Sequence, residues 1–199
     1  MHIVAHRRNT VEELRATPRR FGVEVDIRSQ GPDLVIHHDP FTEGVSFEDW
    51  LNAYEHGLLI LNTKEEGLEE RLLACMAEKG QEDFFFLDQS FPFLIRTARA
   101  GEPRCAVRVS EYEAPETALA LAGMVRWVWV DSFTRWPLGA AEAARLRRAG
   151  FKLCAVSPEL HGRTADGEVT DLQRLLAREG IALDAVCTKK PALWEAWRT

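Results

Sequence analysis

The sequence has little of what marks secreted, membrane-spanning or nucleic-acid-binding proteins. Its four cysteines are scattered and form no Cys-x-x-Cys pair, which favours a reduced protein. The amino terminus lacks both a basic segment and a long apolar segment, so we expect no secretory signal. No apolar run approaches the roughly 20 residues that a transmembrane helix requires, and the longest, 118–125, is interrupted by Gly123. A cytoplasmic location is the simplest interpretation.

Basic residues are also in the minority. Lysine and arginine number 25 against 31 aspartate and glutamate residues, which gives a formal net charge of −6. Binding to nucleic acid or to an anionic membrane surface relies on a basic surface, so we expect neither as a partner. A small anionic substrate in a locally basic pocket remains compatible with this charge. The sequence does not indicate an oligomeric state.

What is present is a regular alternation of short apolar strands and amphipathic helices. The 199 residues, 46% of them hydrophobic and 28% charged, are typical of one folded domain spanning 1–199. Apart from a hairpin strand at 34–38, strands are predicted at 2–6, 22–28, 58–64, 84–88, 105–109, 126–131, 151–156 and 183–188. Each is followed by a helical segment, including 65–79, 92–100, 115–121, 140–149 and 171–179. Eight such units without a Pro- or Ser-rich linker predict a compact α/β fold, the (β/α)8 TIM barrel, with a doubly wound open sheet as the alternative.

In a β/α barrel the catalytic groups lie at the carboxyl ends of the strands, and two acidic residues mark that end of the second strand. Glu24 and Asp26 share one face of this strand because strand side chains alternate with a period of two. Two neighbouring carboxylates are unfavourable unless a cation or a proton lies between them. Oxygen ligands favour Mg²⁺ or Ca²⁺. The alternative is a solvated face, or neutralisation of the pair by Arg28.

Several short motifs occur in a fixed order along the first third of the chain. They are His6-Arg7, Asn9-Thr10, Glu24-Val-Asp26, and His38-Asp39 at the end of the hairpin. This ordered set resembles the glycerophosphodiester phosphodiesterase family and the related phosphatidylinositol-specific phospholipase C-like enzymes. A Glu-x-Lys element of that family corresponds here to Asn62-Thr63-Lys64. Over the rest of the chain the resemblance holds as topology.

The resemblance implies a metal-dependent phosphodiesterase that hydrolyses a small soluble phosphodiester, linked to glycerol or to a sugar. It implies that His6 and His38 are the acid/base pair. The metal ligands for Mg²⁺ or Ca²⁺ would be Glu24, Asp26 and Asn62. Basic residues at the strand ends are expected to bind the phosphate oxygens: Arg7, Lys64, Arg28, Arg108 and Lys189.

The sequence departs from the family pattern in three ways. Asn62 stands where the family has a glutamate, and an uncharged amide oxygen should bind the cation more weakly. Arg8 replaces the glycine that usually follows the His-Arg motif, and segment 40–57 is too short for the family's capping insertion. A second function class therefore stays open, a catalytically degenerate barrel that binds a sugar phosphate or nucleotide-linked sugar as a sensor or partner subunit. A lyase-type reaction that forms a cyclic phosphate without hydrolysis is a further alternative.

Overall fold

Strands and helices alternate along residues 1–165 and 167–197, the part of the chain that the computed structural model describes. The strands are β1 (His2–Ala5), β2 (Gly22–Gln30), β3 (Asp33–Ile36), β4 (Val45–Ser46), β5 (Leu59–Thr63), β6 (Phe84–Leu87), β7 (Ala106–Val109), β8 (Trp127–Val130), β9 (Lys152–Val156) and β10 (Ala185–Thr188). The helices are α1 (Val11–Ala16), α2 (Phe47–Asn52), α3 (Glu69–Lys79), α4 (Phe91–Arg99), α5 (Pro115–Leu119), α6 (Ala140–Arg148), α7 (Glu168–Glu179) and α8 (Pro191–Ala196). A 3₁₀ turn, Pro158–His161, follows β9.

The parallel strands follow one another around a barrel in chain order. One run of pairings joins β7, β8, β9, β10, β1, β2, β5 and β6. The two ends of this run meet at a single parallel bridge between Phe86 and Cys105, where the Phe86 N–H donates to the Arg104 carbonyl at 2.8 Å. Strand order that follows chain order confirms the predicted barrel and excludes a doubly wound sheet, in which the order reverses.

Side chains on alternate strand positions form two apolar layers. Val4, Ile60, Phe85 and Trp127 belong to a cluster that fills the barrel interior, and Phe85 stacks on Trp127 with ring centroids 4.7 Å apart. The opposite faces of the strands pack against the helices in a second, larger cluster. Two packed layers of this kind fix the register of each strand, because a slip of one residue would exchange its faces.

The helix and strand boundaries of the structure agree only in part with those predicted from the sequence. Helix α1 begins with a capping box: Thr10 Oγ1 accepts the Glu13 N–H at 3.1 Å, and the Glu13 carboxylate accepts the Thr10 N–H at 3.0 Å. Helix α3 begins at Glu69 rather than residue 65, because the chain turns first at Gly67, whose φ is +87°. Strand β4, of two residues, and helix α2, of six, were not predicted.

No helix in residues 1–165 and 167–197 has both the length and the apolar character needed to cross a bilayer.

Candidate active site

The buried centre of the site is Glu24, on the interior face of β2. Its side chain is 1% exposed, and its strand neighbours Val23 and Val25 face the helices on the opposite side. Glu24 Oε1 accepts a hydrogen bond from Asn62 Nδ2 at 2.9 Å, and Oε2 accepts the backbone N–H of Arg7 at 2.8 Å. His6 Nε2 lies 3.8 Å from Oε2. The ends of β1, β2 and β5 thus converge on one carboxylate.

Asp26 lies one step further towards the mouth of the barrel and is completely buried. Lys64 Nζ is 3.0 Å from Asp26 Oδ1, and Arg7 Nε is 3.4 Å from Oδ2. Asn9 donates from Nδ2 to Oδ2 at 2.8 Å, and its Oδ1 accepts the Asp26 backbone N–H at 3.1 Å. The resemblance gave Asn9 no role. The structure shows that it clamps the Asp26 backbone and carboxylate together.

Backbone strain occurs at two strand ends that carry charged side chains. Arg7, after β1, has a φ of 50°, and Asp88, after β6, has a φ of 59°. This left-handed conformation costs a residue with a Cβ roughly 1–2 kcal/mol and persists where surrounding contacts impose it. For Arg7 one such contact is the hydrogen bond from its backbone N–H to the buried Glu24 carboxylate.

Burial and neighbouring charges separate the pKa values of the three central groups. Burial, with the positive charges of Arg7 and Lys189, lowers the pKa of His6 to about 3. Burial and the Asp26 charge raise the pKa of Glu24 to about 7. Burial alone would raise the pKa of Asp26, but the Lys64 ammonium, the Asn9 hydrogen bond and the Arg7 charge together outweigh it and hold this pKa below the ordinary value. At neutral pH His6 is therefore uncharged and Asp26 ionised, while the proton on Glu24 is only partly released.

The oxygen atoms of this centre fit a divalent cation, but with less charge than three carboxylates would supply. In residues 1–165 and 167–197 no group of three or more His, Cys, Asp or Glu side chains is arranged to hold a metal, so a cation at Glu24 and Asp26 needs Asn62 as well. Asp26 and Asn62 are register partners on β2 and β5. Asn62 Oδ1 is buried without a hydrogen bond, whereas Asp26 Oδ1 faces the Lys64 ammonium at 3.0 Å. Both oxygens suit Mg²⁺ or Ca²⁺, and Lys64 competes with a cation for the second.

His38 lies after β3, with 41% of its side chain exposed, and its Nδ1 is 2.7 Å from Asp39 Oδ1. Arg28 donates to the His38 carbonyl from Nε at 3.2 Å and from Nη2 at 2.9 Å. The Arg28 ion pair is with Glu65, at 3.6 Å. Neutralisation of the Glu24–Asp26 pair by Arg28 was therefore the wrong alternative. Phosphate binding by Arg28 and catalysis by His38 stay predictions.

On the other side of the mouth, ion pairs continue from strand to strand. Lys64 Nζ is 3.7 Å from Asp88 Oδ2, and Arg108 bonds to Asp88. Arg108 Nε is 3.1 Å from Asp131 Oδ2, and His161 Nε2 is 2.8 Å from Asp131 Oδ1. Asp88, Asp131 and His161 all lie at or beyond strand ends. The alternation in charge of Lys64, Asp88, Arg108 and Asp131 shows only once the strands are ordered around the barrel.

Lys189 lies just after β10, on the His6 side of the barrel mouth, and its positive charge helps to lower the pKa of His6. Its backbone N–H donates to Glu159 Oε1 at 2.9 Å. The same buried carboxylate accepts hydroxyl hydrogen bonds from Thr188 at 2.6 Å and Ser157 at 2.5 Å. Glu159 thus holds the ends of β9 and β10 together.

No protein-family model and no curated protein matches this sequence. Solved structures do match its fold. A glycerophosphodiester phosphodiesterase from Agrobacterium tumefaciens str. C58 is 14% identical, with a TM-score of 0.68 over 97% of this chain and 98% of that one. A glycerophosphoryl diester phosphodiesterase from Parabacteroides distasonis ATCC 8503 is 13% identical, with a TM-score of 0.57 over 100% and 87%.

The tryptophan synthase α-subunit from Pyrococcus furiosus gives a comparable match, 13% identical with a TM-score of 0.57 over 98% of this chain and 89% of that one. Identities this low demonstrate the fold and not the activity, since one barrel architecture serves many reactions. The fold of this chain is similar to that of glycerophosphodiester phosphodiesterases, which confirms at the level of the fold the resemblance drawn from the sequence.

Proposed function

We propose that this protein is a divalent-cation-dependent phosphodiesterase that hydrolyses a small phosphodiester. The observation that carries the proposal is the buried pair Glu24 and Asp26, surrounded by His6, Arg7 and Lys64 at the mouth of the barrel. Together these five residues provide acceptor oxygens for a cation, an uncharged imidazole to accept a proton, and positive charge to bind phosphate oxygens. The fold match to two solved phosphodiesterases supports the same assignment.

At neutral pH His6 is in the uncharged form that a base requires. An uncharged imidazole has one ring nitrogen able to accept a proton, and His6 would accept it from the attacking hydroxyl, either water or a neighbouring hydroxyl of the substrate. As the new O–P bond forms and the ester O–P bond breaks, His38 would donate a proton to the leaving oxygen. The Asp39 carboxylate beside His38 Nδ1 supports this role, because it orients the ring and leaves Nε2 for the substrate.

Positive side chains would stabilise the charge that develops on the phosphate oxygens. Arg7 and Lys64 are the best placed, because both reach the Asp26 side of the mouth. A divalent cation held by Glu24, Asp26 and Asn62 would polarise a phosphoryl oxygen and lower the pKa of the attacking hydroxyl.

The purified protein is expected to release p-nitrophenol from bis(p-nitrophenyl) phosphate and to cleave glycerophosphodiesters when Mg²⁺ or Ca²⁺ is present. A chelator should abolish the release and an excess of either ion should restore it, because two carboxylates and an amide hold the cation reversibly. The control is the same assay with chelator and the matching ion added together. If no divalent ion supports cleavage, the proposed enzymatic activity is contradicted, and the alternative of a catalytically degenerate barrel that binds a sugar phosphate or nucleotide-linked sugar is favoured.

Asn62→Glu is expected to tighten Mg²⁺ or Ca²⁺ binding by roughly tenfold or more, because it adds a third carboxylate to the ligand set. Calorimetric titration measures this change without reference to turnover. Asn52→Glu, which adds the same charge at an exposed position at the end of α2, should leave the affinity unchanged. Equal affinities in wild type and Asn62→Glu would show that the cation does not bind beside β5.

A further inference from the structure

The continuous pairing of strands around the barrel is interrupted between β6 and β7. The two strands meet at the Phe86–Cys105 bridge, and the residues that follow this bridge on each strand line a cavity of about 540 Å³. We call it the seam cavity and define it by the lining residues on which the argument depends: Asp88, Phe91, Arg108, Tyr112 and Glu113. Its volume falls in the range of roughly 300–1,000 Å³ that small-molecule sites occupy.

The seam cavity adjoins the proposed phosphate site. Asp88 lies in its wall and is also 3.7 Å from Lys64, which in turn pairs with the buried Asp26. Arg108 lies in the same wall and bonds to Asp88. A phosphodiester bound at Lys64 would therefore have the cavity within reach of one of its two alcohol arms.

The lining of the cavity combines exposed aromatic rings with charged acceptors. Phe91 is 51% exposed and Tyr112 is 79% exposed, which leaves ring faces for a ligand. Tyr112 packs on Phe133, with centroids 5.9 Å apart, and Phe133 packs on His161 at 4.5 Å, so the tyrosine is braced against the mouth of the barrel. Asp88 and Glu113 add carboxylates, which accept hydrogen bonds and donate none when ionised.

On the basis of the proposed function, we propose that the seam cavity binds one alcohol arm of the phosphodiester and that this arm is a hydroxylated ring, a sugar or a cyclic polyol. Hydroxyl groups can donate to the lone pairs that Asp88 and Glu113 keep beside their bonds to Arg108 and Ser110, and the C–H faces of the ring pack on Phe91 and Tyr112. A cationic arm is disfavoured, because the charge of Asp88 is already balanced by two cations, Lys64 and Arg108. An aryl arm is disfavoured, because it would desolvate the carboxylates without a hydrogen bond.

Steady-state kinetics with three diesters test the proposal: glycerophosphoinositol, glycerophosphoethanolamine and bis(p-nitrophenyl) phosphate. Tyr112→Ala should raise KM for glycerophosphoinositol by about tenfold at unchanged kcat, the effect of losing one aromatic contact, and should change KM for the other two less than twofold. Tyr112→Phe should keep the wild-type KM. Leu193→Ala, which removes an exposed apolar side chain from α8, is the control and should change nothing. An equal rise of KM for all three diesters, or no rise for any, would overturn the proposal.

Calorimetry separates failure of the cavity from failure of the proposed function, because binding needs no turnover. His6→Ala is titrated with glycerophosphoinositol, alone and combined with Tyr112→Ala, and we expect about tenfold weaker binding in the double variant. If the wild type cleaves none of the diesters and this difference in binding is still found, the phosphodiesterase is refuted and the cavity is supported. Equal binding in the two variants, or binding in neither, overturns the cavity even if the wild type hydrolyses its substrates.

Discussion

His6→Ala is expected to lower kcat for phosphodiester hydrolysis by about 10²- to 10⁴-fold, the range that one positioned general base contributes. The imidazole is mostly buried and lies beside the Glu24 carboxylate at the end of β1. The loss should be the same for glycerophosphodiesters and for bis(p-nitrophenyl) phosphate, because the base acts on the nucleophile and not on the leaving group. Turnover of both substrates measures it, with thermal unfolding of the variant to confirm that it folds.

The pH profile of the wild type carries the same argument further. With a pKa of about 3, His6 keeps its base form when the pH falls through 6.5, where an exposed histidine becomes protonated. We therefore expect the rate to show no loss from His6 protonation above about pH 4. Other groups can still titrate, so the comparison is with His6→Asn, whose residual rate should lack any limb near pH 3.

The control for His6 is on the same strand. His2→Ala alters an exposed histidine at the opposite end of β1 and should leave kcat within twofold of wild type. Retention of full activity by His6→Ala in a folded protein would remove the base from the proposed mechanism. A rate that falls with an apparent pKa near 6.5, and loses this limb in His6→Asn, would show that His6 is not held uncharged as its burial requires.

The features of the site that could be predicted are the local ones. The alternation of Glu24 and Asp26 with Val23 and Val25 specifies which side chains share a face, and a barrel places that face in its interior. Which cation neutralises the pair is not local. Arg28 shares their face, but β2 continues past the mouth into the hairpin with β3, where Arg28 is paired in register with Val35. Its guanidinium therefore reaches the His38 carbonyl instead.

The seam between β6 and β7 could not be predicted for a related reason. Strand periodicity describes each strand by itself and does not indicate how well two neighbours pair. The position of His161 likewise depends on a four-residue 3₁₀ turn, Pro158–His161, whose direction is set by contacts from other strands. The buried Glu159 anchors that turn through Thr188 and Lys189, which are distant in sequence.

Lys64→Met is expected to reduce both stability and activity. Asp26 is completely buried, and removal of its closest cation leaves a buried charge with weaker compensation from Arg7 and Asn9. Loss of one partner of such a pair lowers the free energy of unfolding by about 3 kcal/mol. Hydrolysis should fall by roughly 10²-fold, the effect of removing one group that stabilises developing charge. Urea denaturation at pH 7 measures the loss of stability, and kcat/KM measures the loss of activity.

The pH dependence and a second substitution identify Asp26 as the cause. Lys64 helps to hold the pKa of Asp26 below its ordinary value of 3.8, so the stability it contributes is present above pH 3.8 and is lost as the pH falls through the lowered pKa. The difference between wild type and Lys64→Met should therefore shrink below about pH 4. Asp26→Asn combined with Lys64→Met removes the uncompensated charge and should recover at least half of the lost stability. Lys79→Met, at the exposed end of α3, should cost less than about 0.5 kcal/mol. If Lys64→Met is as stable as wild type at pH 7, the Asp26 charge is compensated without Lys64, and the lysine remains free to bind phosphate alone.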